Sequence, residues 1–307
     1  MDTFLRDMNV LIIGGDKREA ELFSYLKKTG AKVSMFGFEK YEYLNEIVLA
    51  ENLIESIFTA EVIITPLTGI EANGEIYAPY SLEKISLNNL TVLRAFNRGT
   101  IFLAGHLDPT LKELLTNYGA RICETSKLDE ISILNAVPTA EGAIQAAMEY
   151  TEITIYRSHS FVLGFGRCGR ILALTLKALG AEVSVAARRP EVLAWVEALN
   201  MIPVPLGRLV DKISAADIIF NTIPALVVDA EALYRIKSST IVIDISSFPY
   251  GVDFNVAERL NIKAVILPGL PGKVAPKTAG KILAQVYPGL IKKMLKREGE
   301  KDGLTGN

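Results

Sequence analysis

The stretch Phe161-Val162-Leu163-Gly164-Phe165-Gly166-Arg167-Cys168-Gly169-Arg170 decides how this chain is read. It joins a short apolar run to a helical pattern from Ile171 to Leu179 and carries three glycines spaced G-x-G-x-x-G. The spacing alone is a weak signal. Between a strand and a helix it has a mechanism: Gly164 permits the tight turn, Gly166 lets a pyrophosphate approach the backbone, and Gly169 allows helix to pack closely on strand. The free N–H groups and positive dipole of the helix then meet the phosphates. Gly164, Phe165, Gly166, Arg167, Cys168, Gly169 and Arg170 are therefore the expected centre of a dinucleotide site.

The next strand ends Val185-Ala186-Ala187-Arg188-Arg189-Pro190. An NAD-preferring site places an acid near here for the ribose 2′-hydroxyl. None is present, and a guanidinium suits a 2′-phosphate. Ala187, Arg188 and Arg189 thus favour NADP, with NAD as the alternative. Two later strand ends belong to the same carboxyl edge, where open sheets bind ligands. Thr222, Ile223 and Pro224 are expected along a ribose, and Asp244 and Ser246 on the nicotinamide side. Each also has an ordinary reading as a turn residue or a solvated charge.

Outward from this segment, short apolar runs alternate with helical patterns along the whole chain. The first half offers strands at Asn9 to Ile13, Lys32 to Phe36, Glu61 to Thr65 and Thr100 to Ala104. The second offers Phe161 to Gly164, Ala181 to Val185, Ile218 to Asn221, Ile241 to Ile245 and Ala264 to Leu267. Repeated β-α units predict an α/β fold with two doubly wound parallel-sheet domains, the architecture of two-domain hydroxyacid dehydrogenases. Residues 1–138, with a closing helix at 276–297, read as an N-terminal flavodoxin-like substrate domain. Residues 139–275 read as a Rossmann NAD(P)-binding domain, and 298–307 as a disordered tail. Thr139 is placed to cap a connecting helix that runs to Tyr150. Gly14-Gly15-Asp16 turns the first strand into a helix but lacks the third glycine, so no second nucleotide is expected there. Asp16 and Arg18 either line a cleft or simply start that helix.

Composition narrows the class. A chain of 307 residues suits two domains, and 50% hydrophobic with 22% charged residues predicts packed globular structure. A net charge of −2 leaves no electrostatic footprint for nucleic acid. The two cysteines, Cys123 and Cys168, fit no metal or disulfide framework, so no metal is expected and free thiols suit a reducing cytoplasm. The stretch Met1 to Asn9 carries acids and no apolar core, unlike a signal peptide. No apolar run approaches the ~18 residues of a membrane span.

Several segments then occur together in order: Gly14-Gly15-Asp16, Pro66-Leu67-Thr68-Gly69, Ala136-Val137-Pro138-Thr139-Ala140-Glu141-Gly142, the turn at 164–169, and Pro268-Gly269-Leu270-Pro271-Gly272-Lys273-Val274-Ala275-Pro276-Lys277-Thr278-Ala279-Gly280. In this set the chain resembles the A-subunit family of dipicolinate synthases over almost its whole length. The resemblance implies NADP-dependent oxidation of dihydrodipicolinate to dipicolinate in the mother-cell cytoplasm of a sporulating bacterium. It also implies a partner, the flavoprotein-like B subunit of dipicolinate synthase; homo-oligomers are compatible with it. Such chemistry removes a hydride and a proton and needs partners for two carboxylates. The candidates are Asp16, Arg18, Thr68, Gly69, Thr139 and Lys277, with Lys273 as the candidate catalytic residue, gripping a carboxylate or taking the proton. Two other readings compete. A 2-hydroxyacid dehydrogenase needs a His paired with a carboxylate. Only His106 and His159 are available, and Leu267 to Lys273, where that family carries its His, has none. A nucleotide-sensing component without chemistry of its own is the third.

Overall fold

Runs such as Val10-Leu11-Ile12-Ile13 and Ile218-Ile219-Phe220 are buried along their length, as strands are in a sheet covered on both faces. The structure, a computed structural model, describes residues 3–302. The chain divides into two compact units, Met1–Ser132 with Ala275–Asn307, and Ile133–Val274.

The first unit holds strands β1 (Asn9–Ile13), β2 (Lys32–Phe36), β3 (Val62–Ile64), β6 (Ile101–Ala104) and β7 (Arg121–Glu124), with a two-stranded antiparallel ribbon, β4 (Glu75–Ile76) and β5 (Ile85–Ser86), between them. The five pair in parallel in the order β2-β1-β3-β6-β7, the flavodoxin-like winding. Helices α1 (Lys17–Lys28), α2 (Leu53–Thr59), α3 (Leu90–Leu93) and α4 (Pro109–Asn117) connect them. Helix α5 (Asp129–Tyr150) carries the chain into the second unit.

There, β8 (His159–Leu163), β9 (Glu182–Ala187), β10 (Ile202–Pro205), β11 (Ile218–Asn221), β12 (Ile241–Asp244) and β13 (Lys263–Ile266) form a parallel sheet in the order β10-β9-β8-β11-β12-β13. This is the dinucleotide-binding winding, with the order reversing beside β8. Its helices are α6 (Arg167–Ala178), α7 (Pro190–Ala198), α8 (Leu209–Lys212), α9 (Ala230–Leu233), α10 (Phe254–Arg259) and α11 (Leu270–Val274). The chain closes with α12 (Pro276–Asp302), which returns to the first unit and buries Leu283, Tyr287 and Ile291 in one core with Leu22, Phe23 and Leu26 of α1. A Cβ at Gly280 would lie 2.7 Å from the Arg18 carbonyl oxygen, so the two helices cross where only glycine fits. Among the described residues no helix is long and apolar enough to cross a membrane.

Three expectations are corrected. Thr139 caps nothing: α5 starts at Asp129, Pro138 lies inside it, and the Thr139 hydroxyl donates to the Asn135 carbonyl at 2.7 Å. The segment around Lys273 is not an extended proline-stiffened loop, because Leu270–Val274 forms α11; a proline in the first turn costs no helical hydrogen bond. The closing helix runs through Asp302 rather than ending at 297, and residues 303–307 of the expected tail lie outside the described residues.

The start of α1 shows how tightly this unit is wired. Asp16 caps the helix through the Arg18 amide, and Glu19 reaches back to the Asp16 amide at 2.8 Å, completing a capping box. Glu19 is fully buried, and its Oε1 has no hydrogen-bond partner among the described residues. Burial pushes its carboxyl up to about 7; Arg18 opposes this and Asp16 adds to it. A carboxyl raised in the native state adds stability at low pH and loses it as pH climbs from 4.5, its ordinary value, through about 7. Replacing Glu19 by Gln keeps the cap acceptor and removes that charge. The melting temperature of Glu19→Gln relative to wild type should therefore rise between pH 5 and pH 8; a difference independent of pH would contradict the account.

Candidate functional site

At the end of β8 the backbone turns at Gly164 with φ +96°, a conformation suited to glycine. Helix α6 then starts with Gly166 as its cap and no side-chain capping bond. The three glycines differ physically. A Cβ at Gly169 would sit 2.2 Å from the Gly164 carbonyl oxygen, so side-chain-free contact brings the helix onto the strand end. One at Gly164 would meet Thr222 Oγ1 at 2.5 Å. At Gly166 a Cβ would meet no protein atom within 4 Å. Glycine is thus required for packing at 164 and 169, while at 166 packing places no demand on it. The first-turn amides have no intrahelical acceptor, and the residue that would cap them carries no side chain. The arrangement suits a pyrophosphate.

The other expected cofactor residues separate into two groups. Ala187 is buried at the end of β9, and Arg188 and Arg189 follow it, both exposed. Arg189 pairs with Glu191 at 3.2 Å, an exposed contact of little energetic weight, whereas Arg188 is in no described ion pair. Arg167 is exposed, and Cys168 is part-buried, which pushes its thiol up. Phe165 is buried, with the Arg170 guanidinium 5.3 Å from its ring. The residues after β11 and β12 turn inward instead. Thr222 donates to the Leu163 carbonyl at 2.8 Å, beneath the glycine turn. Asp244 is fully buried and accepts from Asn221 Nδ2 at 3.0 Å, from the Ser246 amide at 2.9 Å and from the Gly251 amide at 2.7 Å. The expectation that Asp244 and Ser246 present polar atoms to a ligand is corrected: both are buried in a network whose hub is Asn221, which also binds both backbone groups of Ile223. Pro224 stays exposed beyond it.

In the first unit, Arg18 is also not what the sequence suggests. Its guanidinium is buried and grips Asp16 through Nε and Nη2, both at 2.9 Å, so neither residue is offered to a substrate carboxylate. Thr68 is exposed, and Gly69, with φ +93°, packs against His106, whose backbone a Cβ would approach to 2.9 Å. His106 brings in a group the sequence reading did not assemble. Its Nδ1 lies 3.3 Å from Glu124 Oε1, while Glu124 Oε2 accepts from Lys112 at 2.6 Å and Lys127 at 2.8 Å. Burial would push the Glu124 carboxyl up, but the two lysines and the Leu107 amide outweigh it and hold it at about 2. Lys273 on α11 and Lys277 on α12 are exposed and in no described ion pair.

The dipicolinate synthase A-subunit of Bacillus subtilis is 33% identical to the chain over 297 residues, 96% of this chain and all of that protein. The chain belongs to the A-subunit family of dipicolinate synthases. The N-terminal domain that defines the family is matched over residues 9–126. The crystal structure of the dipicolinate synthase A-subunit from Bacillus halodurans superposes with a TM-score of 0.85 at 35% identity, covering 94% of this chain and 98% of that one. D-lactate dehydrogenase from Escherichia coli shares the fold at a TM-score of 0.60 and 14% identity, over 93% of this chain and 98% of that one. Family membership and the two-unit architecture inferred from the sequence are thus both shown.

The glycine geometry yields a paired test. Gly169→Val must displace the Gly164 backbone and should lower stability by roughly 1–3 kcal/mol, as overpacking does. Gly166→Val meets open space and should melt near wild type, yet lose dinucleotide binding in a fluorescence titration. Equal melting of the two variants would contradict the packing assignment, and normal binding by Gly166→Val would contradict the phosphate assignment.

Proposed function

We propose that this chain is the dehydrogenase component of a dipicolinate synthase, oxidising dihydrodipicolinate to dipicolinate with NADP in preference to NAD. The reading rests on one observation: a chain of this family carries a glycine turn whose middle position is open at the N-terminus of α6. The oxidised nicotinamide supplies the two-electron acceptor. The turn at 164–169 holds the pyrophosphate, and Arg188, with no described ion-pair partner, takes the 2′-phosphate with Arg189 beside it. Lys273 holds a substrate carboxylate, since an anion leaving water needs compensating charge. A flavoprotein-like B subunit is the proposed partner, and the mother-cell cytoplasm of a sporulating bacterium the proposed setting.

The His106–Glu124 pair gives the 2-hydroxyacid reading a specific observation of its own, because that chemistry also needs a His held by a carboxylate. One assay separates the two. The chain, alone and with its B subunit, is given NADP and either dihydrodipicolinate or a panel of 2-hydroxy acids, and absorbance at 340 nm is followed. Growth with dihydrodipicolinate alone is expected; growth only with a 2-hydroxy acid would replace the assignment.

Two variants test the residue roles. Arg188→Ala should weaken NADPH by about 1–3 kcal/mol, the range for charge-assisted hydrogen bonds, and leave NADH unchanged; equal affinity of wild type for both cofactors would remove the NADP assignment. Lys273→Met keeps most of the stem without the charge. It should abolish dipicolinate formation while NADPH affinity and melting stay normal, and full turnover would show that Lys273 is a solvated surface charge.

A further inference from the structure

We propose that His106 is the proton acceptor of this dehydrogenation, with Glu124 as the residue that positions it; the assignment rests on the reading above.

The imidazole is held from several directions. It follows Gly105 at the carboxyl end of β6, where a Cβ on residue 105 would fall 2.0 Å from the Leu67 carbonyl oxygen, so the loops after β3 and β6 meet backbone to backbone. The Ile70 amide donates to the His106 carbonyl at 2.8 Å, and the Ser126 amide donates to the Gly105 carbonyl at 3.0 Å. The main chain at 105–106 is therefore pinned by the loops on both sides, and the ring needs little reorganisation to act.

Its electronics are set by Glu124, whose side chain is 5% exposed against 53% for His106. Two lysines and a backbone amide keep Glu124 ionised, and an ionised carboxylate accepts hydrogen bonds without donating any. Facing Nδ1, it selects the Nδ1–H tautomer and leaves the Nε2 lone pair as the basic site. His159, the other histidine, is arranged differently: its Nε2 faces Glu182 at 3.3 Å, both side chains are about half exposed, and it begins β8 at the amino edge of the other sheet.

The chemistry balances with this base. Aromatising a dihydropyridine dicarboxylate removes two hydrogens from adjacent saturated ring carbons. One leaves with its electron pair to the nicotinamide dinucleotide. The other leaves as a proton to His106 Nε2, and the electron pair of that broken C–H bond becomes the new ring double bond. The resulting imidazolium is stabilised by Glu124. Lys112 and Lys127 keep the locality cationic, as a dianionic substrate requires.

The test uses the complete enzyme, this chain with its B subunit. His106→Asn should lower kcat by roughly 10²–10⁴-fold, the usual worth of a general base, with KM, NADPH affinity and melting near wild type. Free imidazole should restore part of the rate in His106→Ala. A readout independent of turnover is the ¹⁵N spectrum of the isolated chain, in which neutral His106 should be the Nδ1–H tautomer and should lose that preference in Glu124→Gln. Unchanged kcat in His106→Asn, or an Nε2–H tautomer in wild type, would overturn the assignment while leaving the functional reading standing. A complete wild-type enzyme inert toward dihydrodipicolinate would overturn both together.

Discussion

The contact between residue 169 and the Gly164 carbonyl oxygen governs the second unit. A Cβ there would stand 2.2 Å from that oxygen, so the first turn of α6 sits directly against the end of β8. Thr222 packs under the same two glycines and ties them to Leu163, linking the turn to the neighbouring strand β11. The outward consequence is at Gly166, which caps α6 with bare backbone and has free space beside it. Packing fixes two glycines, and ligand access accounts for the third.

Around both carboxyl edges, polar groups divide by whether the fold already uses them. Asp244, Asn221, Thr222, Asp16 and Arg18 are hydrogen-bonded within their own units, as buried polar groups must be. They shape loops and helix starts. Arg188, Lys273 and the Nε2 face of His106 are exposed and take no part in such networks. The second set is where a ligand gains interaction, since binding there leaves no internal partner unsatisfied.

Much of this was legible in the sequence because buried parallel strands are nearly continuous apolar runs. Asn9–Ile13, Lys32–Phe36 and Ile218–Asn221 are strands with the bounds expected. The edge strands were not legible. Arg121–Glu124 carries two charges among four residues, and Ile202–Pro205 two prolines, which an edge strand tolerates and a central one does not. Missing β7 hid Glu124, so the sequence placed His106 at a strand end without its partner. Arg18 misled for a related reason: a charge near a helix start reads as available, yet Asp16, two residues earlier, closes on it in a bidentate pair. Proline misled twice, as a start signal at 138 inside α5 and as a loop signal at 271 inside α11.

The central claim is that the turn at 164–169 holds a dinucleotide pyrophosphate. A crystal structure of the chain grown with NADP tests it most directly. The account predicts pyrophosphate oxygens within hydrogen-bonding distance of the amides that open α6, lying over Gly166, with the 2′-phosphate at Arg188. A dinucleotide bound elsewhere on the chain, or a folded chain that leaves the turn empty at saturating NADP, would contradict it.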